Sequence, residues 1–377
     1  MGVPGVQGVV VLGLGAAGAS LAWRLAGSGV PLRVVEAPGG SGRRTPERTW
    51  CTWGQAGPGP FGHLVSASWP RVRIVPRAGD QVVAHLGSWR YRMLRSQDLD
   101  TAVRERLAGA GVAVEEGVVE DAADLLEPGW TVVDTRPVPV PRTGRTLLLQ
   151  HFLGRRVRAE RPVFDPSTVT MMDFRVPQPA GGVAFGYVLP TSPHEALVEY
   201  TEFSAGLLDE AGYEVALREY LRRSGIGEVE VLGSERGVIP MTDARFPPSG
   251  VPGVLRWGAA SGSVRPSTGY AFSALQRQAD VLARRARAGS PLVLPPAHRR
   301  RHLVMDSLVL EALASGRVDG AGFFSGLFAR NPVHRVLGFL DGGTGPADDL
   351  RLMASSPRGP MLRTVLGRAL PRVPLRR

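Results

Sequence analysis

The stretch Val9-Val10-Val11-Leu12-Gly13-Leu14-Gly15-Ala16-Ala17-Gly18 decides the fold. A short β-branched run ends at a glycine-rich turn, and Ala19 to Leu25 then takes helix spacing. Leu32 to Val35 forms a second strand that ends in Glu36, so the whole reads as a βαβ unit. In Gly13-x-Gly15-x-x-Gly18 the first glycine permits the tight turn and the second lets backbone amides approach a pyrophosphate. The third allows close helix–strand packing, and the helix N-terminus holds the phosphates. Glu36, 18 residues after Gly18, stands where a carboxylate accepts hydrogen bonds from ribose hydroxyls, which favours adenosine without a 2′-phosphate. An ordinary glycine turn is the alternative for the triplet alone.

Beyond this unit, Pro38 to Gly62 is rich in Gly, Pro and Arg, and strands near Val72 to Pro76 and Gln81 to Leu86 read as excursions from the nucleotide fold. A helix from Gln97 to Leu107, then Val112 to Glu116 and Thr131 to Asp134, returns to a parallel sheet. From Leu147 to Glu202 the chain alternates as strands, including Gly182 to Leu189 and Ala196 to Thr201. Val254 to Gly258 and a helix within Ala271 to Arg287 complete the first domain, and the chain is helical past Pro295. The expected fold class is therefore α/β: a Rossmann-type FAD-binding domain with an antiparallel-sheet substrate domain and a helical C-terminal region. Residues 1–150 and 236–290 form the first domain, residues 151–235 the substrate domain and residues 291–377 the helical region.

FAD, more than a nicotinamide nucleotide, follows from this N-terminal βαβ unit combined with the far-downstream segment Gly258 to Gly269. There Arg265-Pro266-Ser267-Thr268-Gly269-Tyr270 precedes a long helix, so Gly258, Thr268 and Gly269 would face the isoalloxazine or ribityl chain. The helix dipole would stabilise a reduced, anionic flavin. Alternatively, Pro266 and Gly269 only shape a loop.

Composition narrows the function. At 377 residues, with 43% hydrophobic and 21% charged side chains, the chain is long enough for a large core and is ordinary for a globular protein. One cysteine, Cys51, rules out an internal disulfide and a thiolate metal cluster, and a reducing cytoplasm fits. The 45 basic residues are all arginine and outnumber 34 acids. The net charge of +11 comes without a basic helix interleaved with aromatics, so no nucleic acid is expected. An anionic membrane surface is the partner this charge favours, with codon bias the alternative. The uncharged residues 1–23 lack a basic leader and are broken by glycines, so they are not a targeting signal. His151 and His334 have no spaced partners, so no metal and no Ser-His-Asp triad is expected. The run His298-Arg299-Arg300-Arg301-His302 reads as a solvated helix face.

Several further segments occur in a distinctive order: Glu47-Arg48-Thr49-Trp50, Met171-Met172-Asp173-Phe174, Phe185-Gly186-Tyr187-Val188-Leu189-Pro190, Leu197-Val198-Glu199-Tyr200-Thr201, Gly237-Val238-Ile239-Pro240-Met241 and Pro266-Ser267-Thr268-Gly269-Tyr270. With Phe323-Phe324 and Phe339-Leu340-Asp341 they resemble the lycopene beta-cyclases, from about residue 8 to 357. The resemblance implies a flavoprotein that cyclises the end of a hydrophobic polyene without net oxidation. It uses reduced FAD, with NADPH or another donor supplying electrons, and it sets Arg48 and Thr49 at the cofactor.

Such chemistry needs an acid in a dry pocket, because an alkene is a poor base, and negative charge to stabilise the tertiary cation. Glu199 is the expected catalytic acid. It matches the first acid of the family's paired motif, and strand alternation puts it on a face with Leu197 and Thr201, opposite Val198 and Tyr200. The sequence departs from the family at Tyr200, where the second acid is usual. Glu199 then works alone, or Glu202 substitutes, or the polyene is not lycopene. Glu235 matches another family acid and is expected to tie its turn, while Asp173 anchors a strand. The competing readings are a cyclase of another terpenoid or meroterpenoid chain, an FAD-dependent monooxygenase or prenyl reductase, and a carotenoid-binding flavoprotein without turnover. An insoluble substrate implies a cytoplasmic, peripherally membrane-associated protein. Met361, Leu362, Val365, Leu366 and Leu370, with Arg363, Arg368, Arg372, Arg376 and Arg377, suit a helix lying in the membrane interface or one packed on the protein itself.

Overall fold

The structure is a computed structural model that describes residues 5–43 and 47–369. β1 (Gly8–Leu12), α1 (Ala16–Leu25) and β2 (Leu32–Glu36) form the βαβ unit. Every residue of β1 is buried, as in a strand covered on both faces. Gly13 turns the chain at φ 92°, a conformation that costs glycine little. A Cβ on Gly18 would stand 1.8 Å from the Gly13 carbonyl oxygen, so α1 can pack here only on glycine.

The chain continues through β3 (Thr49–Gly54), β4 (Val65–Trp69), β5 (Arg71–Val75), β6 (Val82–His85) and β7 (Arg90–Arg95) into α2 (Ser96–Gly109). β8 (Val114–Glu116), β9 (Trp130–Asp134) and the long β10 (Leu147–Ala159) follow, then β11 (Thr168–Asp173), β12 (Val183–Pro190) and β13 (Glu195–Ser204). α3 (Glu210–Arg223) leads to β14 (Val229–Thr242), β15 (Val254–Arg256) and α4 (Phe272–Arg287). The remainder is helical: α5 (Arg300–Ala314), α6 (Gly320–Arg330), α7 (Val333–Leu340), α8 (Pro346–Ser355) and α9 (Arg358–Ala369).

Three sheets organise these elements. A parallel sheet runs β15-β9-β1-β2-β8, a seven-stranded sheet runs β14-β10-β13-β12-β11-β5-β6, and a small sheet runs β3-β7-β4. This is the Rossmann-type α/β architecture with a second sheet and a helical C-terminal region. The seven-stranded sheet is antiparallel except where β5 pairs parallel with β11. That long-range pairing shows where the excursion at Val72 to Leu86 goes: β5 and β6 leave the nucleotide fold to form the far edge of the substrate sheet. The boundaries read at 150 and 235 fall inside β10 and β14, because both strands run on through the sheet.

One face of the seven-stranded sheet, with Phe185, Leu197 and Phe203, shares a core with Phe323, Phe324 and Phe328 of α6 and Leu337 and Leu340 of α7. The other face, with Leu153, Val188, Val198 and Tyr200, packs on Tyr213, Leu217 and Tyr220 of α3. β3 and the start of α4 come over the first face, and the cavity described next lies there.

Candidate active site

Glu199 shares the cavity face of β13 with Leu197, Thr201 and Phe203, while Val198 and Tyr200 point into the opposite core, as strand alternation requires. Across the sheet, Glu199 pairs with Tyr187 of β12 on one side and with Gly154 of β10 on the other. Gly154 in turn pairs with Glu235 of β14. Tyr187, Glu199, Gly154 and Glu235 thus form one cross-strand row. A Cβ on Gly154 would lie 3.0 Å from Glu235 Cγ and 3.5 Å from Glu199 Oε2, so the glycine opens a gap bordered by the Glu235 side chain and the Glu199 carboxyl group.

β3 lies over this row. The Thr49 hydroxyl donates to Glu235 Oε2 at 2.7 Å. Two residues on, the Tyr187 hydroxyl donates to Cys51 Sγ at 3.3 Å. Trp50, between them, stacks on Phe272 at the start of α4 with ring centroids 5.7 Å apart.

Burial, first, pushes the Glu199 carboxyl up to about 8; the Glu235 carboxylate adds to the rise and the Thr201 hydroxyl, donating to Glu199, opposes it. Glu235 is pushed up to about 7, again chiefly by burial. The Thr49 hydrogen bond and the Arg48 and Arg156 guanidinium groups pull it down, and Glu47 pushes it up. Both carboxyl groups are thus held above the usual glutamate range, so near neutral pH the pair retains a proton. Burial also pushes the Cys51 thiol up to about 12, so it is a neutral wall group rather than a nucleophile.

The cavity, about 300 Å³, reaches from Ala16 at the head of α1 to the two acids, past Phe152, Met172, Phe185, Phe203, Tyr270 and Phe324. Its α1 end has the features of a dinucleotide cradle. A Cβ on Gly15 would meet nothing within 4 Å, no side chain caps α1, and its first turn holds no acid. Glu36 Oε1 accepts from the Ala37 amide at 2.8 Å and its other oxygen from the Leu14 amide, which fixes the carboxylate beside the turn. α4 also begins without a capping side chain or an acid in its first turn.

The loop before α4 is held from behind. Arg265 and Asp306 form an ion pair with side chains 1% and 0% exposed, and Ser267 donates to Asp306 at 2.7 Å. Gly269, at φ 71°, presses on Gln150, whose buried Oε1 has no hydrogen-bond partner among the described residues. These residues fit a flavin dinucleotide: the α1 turn would hold the pyrophosphate, Glu36 a ribose, and Gln150, Thr268, Gly269 and the head of α4 the ring system.

The structure gathers Gly13, Gly15, Gly18 and Glu36 at one turn, and Thr268 and Gly269 on the cavity wall. Gly258, at φ 82°, packs close to Ala17 of α1. Arg48 and Thr49 lie at the acid end, where Thr49 touches Glu235 rather than the glycine turn. Tyr200 and Glu202 are bonded to each other at 3.0 Å on the opposite face, so Glu202 does not substitute for a second acid in the cavity. Glu235, expected only to tie a turn, is there instead, and seeing this required the register of three strands.

His151 is fully buried between Ser204 at 2.9 Å and Tyr213 at 2.7 Å, partners brought together by strand pairing rather than spacing. His302 is likewise buried, against Asp349 at 3.2 Å, while Arg299 and Arg300 are exposed, so the basic run at 298–302 is a solvated face only in part. Asp173 bonds Arg175 at 2.7 Å and anchors its strand end. Among the described residues no group of three or more His, Cys, Asp or Glu side chains is placed to hold a metal.

The family model described as lycopene cyclase protein matches residues 8–366. No curated relative matches the chain. Among solved structures, a geranylgeranyl bacteriochlorophyll reductase-like protein from Thermoplasma acidophilum shares 13% identity at a TM-score of 0.63, covering 95% of this chain and 98% of that one. The Diels-Alderase PyrE3 of pyrroindomycin biosynthesis shares 17% identity at 0.57, over 90% and 81%. The flavin-dependent brominase Bmp2 shares 16% identity at 0.56, over 92% and 98%. At these identities the likeness is one of fold.

Proposed function

The chain belongs to the lycopene cyclase family, and from that premise we propose that it is a flavin-dependent, redox-neutral cyclase that closes the acyclic end of lycopene, or a similar prenyl polyene, into a β-ionone-type ring. The observation that carries this reading is Glu199: a buried carboxyl, pushed up to about 8, at the aromatic end of a cavity that begins at a dinucleotide cradle. A carboxyl that keeps its proton near neutrality can deliver it to an alkene.

Glu199 gives its proton to the terminal double bond, which leaves a tertiary cation. The neighbouring double bond attacks that cation and closes the ring, and a ring proton then leaves. Phe152, Phe185, Phe203 and Phe324 exclude water from the cation and offer it π faces. FAD, once reduced by electrons from NADPH or another donor, would add negative charge opposite the cation. The Arg265–Asp306 pair keeps the loop before α4 in place for that cofactor.

An insoluble polyene requires contact with a bilayer, so we place the protein in the cytoplasm at a membrane surface. No helix among the described residues is long and apolar enough to cross a membrane. α9 exposes Leu362, Val365 and Leu366, which suits peripheral docking, and Leu370, Arg372, Arg376 and Arg377 lie outside the described residues.

The test is to reduce the bound flavin anaerobically, supply lycopene in liposomes and identify the product by chromatography and mass. A cyclised isomer of unchanged mass is expected. A product carrying added oxygen or hydrogen would replace this reading with a monooxygenase or a prenyl reductase.

A further inference from the structure

We propose that Glu235 is the second catalytic carboxyl group of this site, receiving the proton that leaves the ring and returning it to Glu199 across the gap above Gly154. This rests on the cyclase reading and adds to it the group that closes the proton cycle. Cyclisation adds one proton at the CH carbon of the terminal double bond, which leaves the tertiary cation, and removes another from a second carbon of the new ring, so the enzyme must both give and take one in each turnover. Two carbons are involved, and the structure supplies two carboxyl groups from strands on either side of β10. Such strands lie about 9–10 Å apart, yet both side chains border the space that a Cβ of Gly154 would fill.

The other groups on the cavity wall cannot take the proton as well. Tyr187 and Tyr270 are neutral phenols whose burial pushes them up, and the Cys51 thiol is held neutral in the same way. Arg48 is already a cation. Glu235 is the carboxyl group whose ionised form has support: the Thr49 hydroxyl and the Arg48 and Arg156 guanidinium groups favour it, against burial and Glu47. Glu199 has only the Thr201 hydroxyl favouring its anion, against burial and Glu235. The pair is thus polarised, with the proton on Glu199 and the charge on Glu235 before each turnover.

The steps balance. The Glu199 O–H bond breaks as a C–H bond forms at the alkene, and the π pair of the next double bond makes the ring C–C bond. A ring C–H bond then breaks, its electron pair becomes the ring double bond, and the proton goes to the Glu235 carboxylate. Transfer from Glu235 to the Glu199 carboxylate restores the starting state, with no electron gained or lost.

The experiment compares wild type, Glu235→Gln and Glu235→Asp as flavin-loaded protein, in anaerobic turnover of lycopene in liposomes from pH 5.5 to 9, with the Glu199 carboxyl followed by infrared difference spectroscopy. Wild type should lose rate toward low pH as Glu235 takes a proton and toward high pH as Glu199 loses one. Glu235→Gln should lower kcat at least 100-fold at similar KM and flavin content, and its residual rate should lack the acid limb. Its Glu199 band should titrate at lower pH, because the repulsion from Glu235 is gone. Glu235→Asp should recover part of kcat. Cyclisation by Glu235→Gln within threefold of wild type, or an unmoved Glu199 titration, overturns the proposal. A loss that Asp does not relieve and that leaves the pH limbs in place assigns Glu235 a structural role and overturns it as well. Wild type that yields no cyclised product overturns the cyclase reading itself, a different outcome from a cyclising wild type with an unaffected variant.

Discussion

Gly154 and Glu235 meet where a side chain on β10 would otherwise stand: a Cβ at Gly154 would lie 3.0 Å from Glu235 Cγ. Leu197 Cδ1 lies 3.2 Å from the same point, so the site is tight on more than one contact. Gly154→Ala should therefore push the two acids apart, costing about 1–3 kcal/mol of stability through overpacking and lowering turnover tenfold or more. Thermal melts and product formation in the same preparation check this. A variant as stable and as active as wild type would mean that the gap has no role.

The raised Glu199 gives stability a pH dependence with a definite sign. Unfolded, a glutamate ionises near 4.3, whereas folded Glu199 keeps its proton to about 8. Its burial is uncosted below the unfolded value, grows more costly as the pH rises between the two values, and levels off above the folded one. Glu199→Gln, which carries no charge at any pH, should then gain in Tm relative to wild type on going from pH 5 to pH 8.5, while turnover falls by about 10²–10⁴. A Tm difference that is flat with pH would show that the carboxyl is not desolvated.

Gly15 and Gly18 separate ligand binding from folding. Space is open around Gly15, but Gly18 lies 1.8 Å, by its missing Cβ, from a backbone oxygen. Gly15→Val should give folded protein that retains less than a tenth of the flavin on purification, read from absorbance near 450 nm, a wavelength that oxidised flavins share. Gly18→Ala should lose folded protein instead. Full flavin retention by Gly15→Val would move the pyrophosphate away from α1.

Asp306 holds both Arg265 and Ser267 in a site closed to water. Asp306→Ala leaves a buried guanidinium without its partner, and should cost about 3–5 kcal/mol while loosening the loop that carries Thr268 and Gly269. Urea melts and flavin dissociation rates measure the two effects. A destabilised variant with unchanged flavin release would confine the pair to folding.

The legible parts of this molecule were those governed by local period. The β1–α1–β2 unit follows from apolar runs and three glycines, and the facing of Leu197, Glu199 and Thr201 follows from the two-residue repeat of a strand. What spacing could not show was register. Glu235 is 36 positions from Glu199, and only the pairing of both with Gly154 makes them neighbours. Likewise His151 meets Ser204 and Tyr213 through strand and helix packing, and β5 reaches β11 across nearly a hundred residues. β3, lying in a Gly-, Pro- and Arg-rich stretch, carries only six residues, too few to stand out there. Its Thr49 and Cys51 nonetheless cover the acid row.

α9 is held from one side and bare on the other. Thr364 is buried, and Arg368 pairs with Asp243 at 2.6 Å and Glu311 at 3.0 Å, so this arginine serves the protein rather than a lipid headgroup. Leu362, Val365 and Leu366 are 60%, 47% and 59% exposed, with Arg363 beside them in the open. Burying a leucine in an apolar phase contributes about 1.5–3 kcal/mol, and about 1.4 kcal/mol is tenfold in binding. Leu362→Ser combined with Leu366→Ser should therefore weaken sedimentation with anionic liposomes at least tenfold, leave flavin content unchanged, and slow turnover of lycopene in liposomes more than turnover of lycopene in detergent. Arg363→Glu should weaken the same binding at low salt and matter little at high salt, because exposed charges are screened there. Liposome binding that ignores all three substitutions would place the membrane contact elsewhere on the surface.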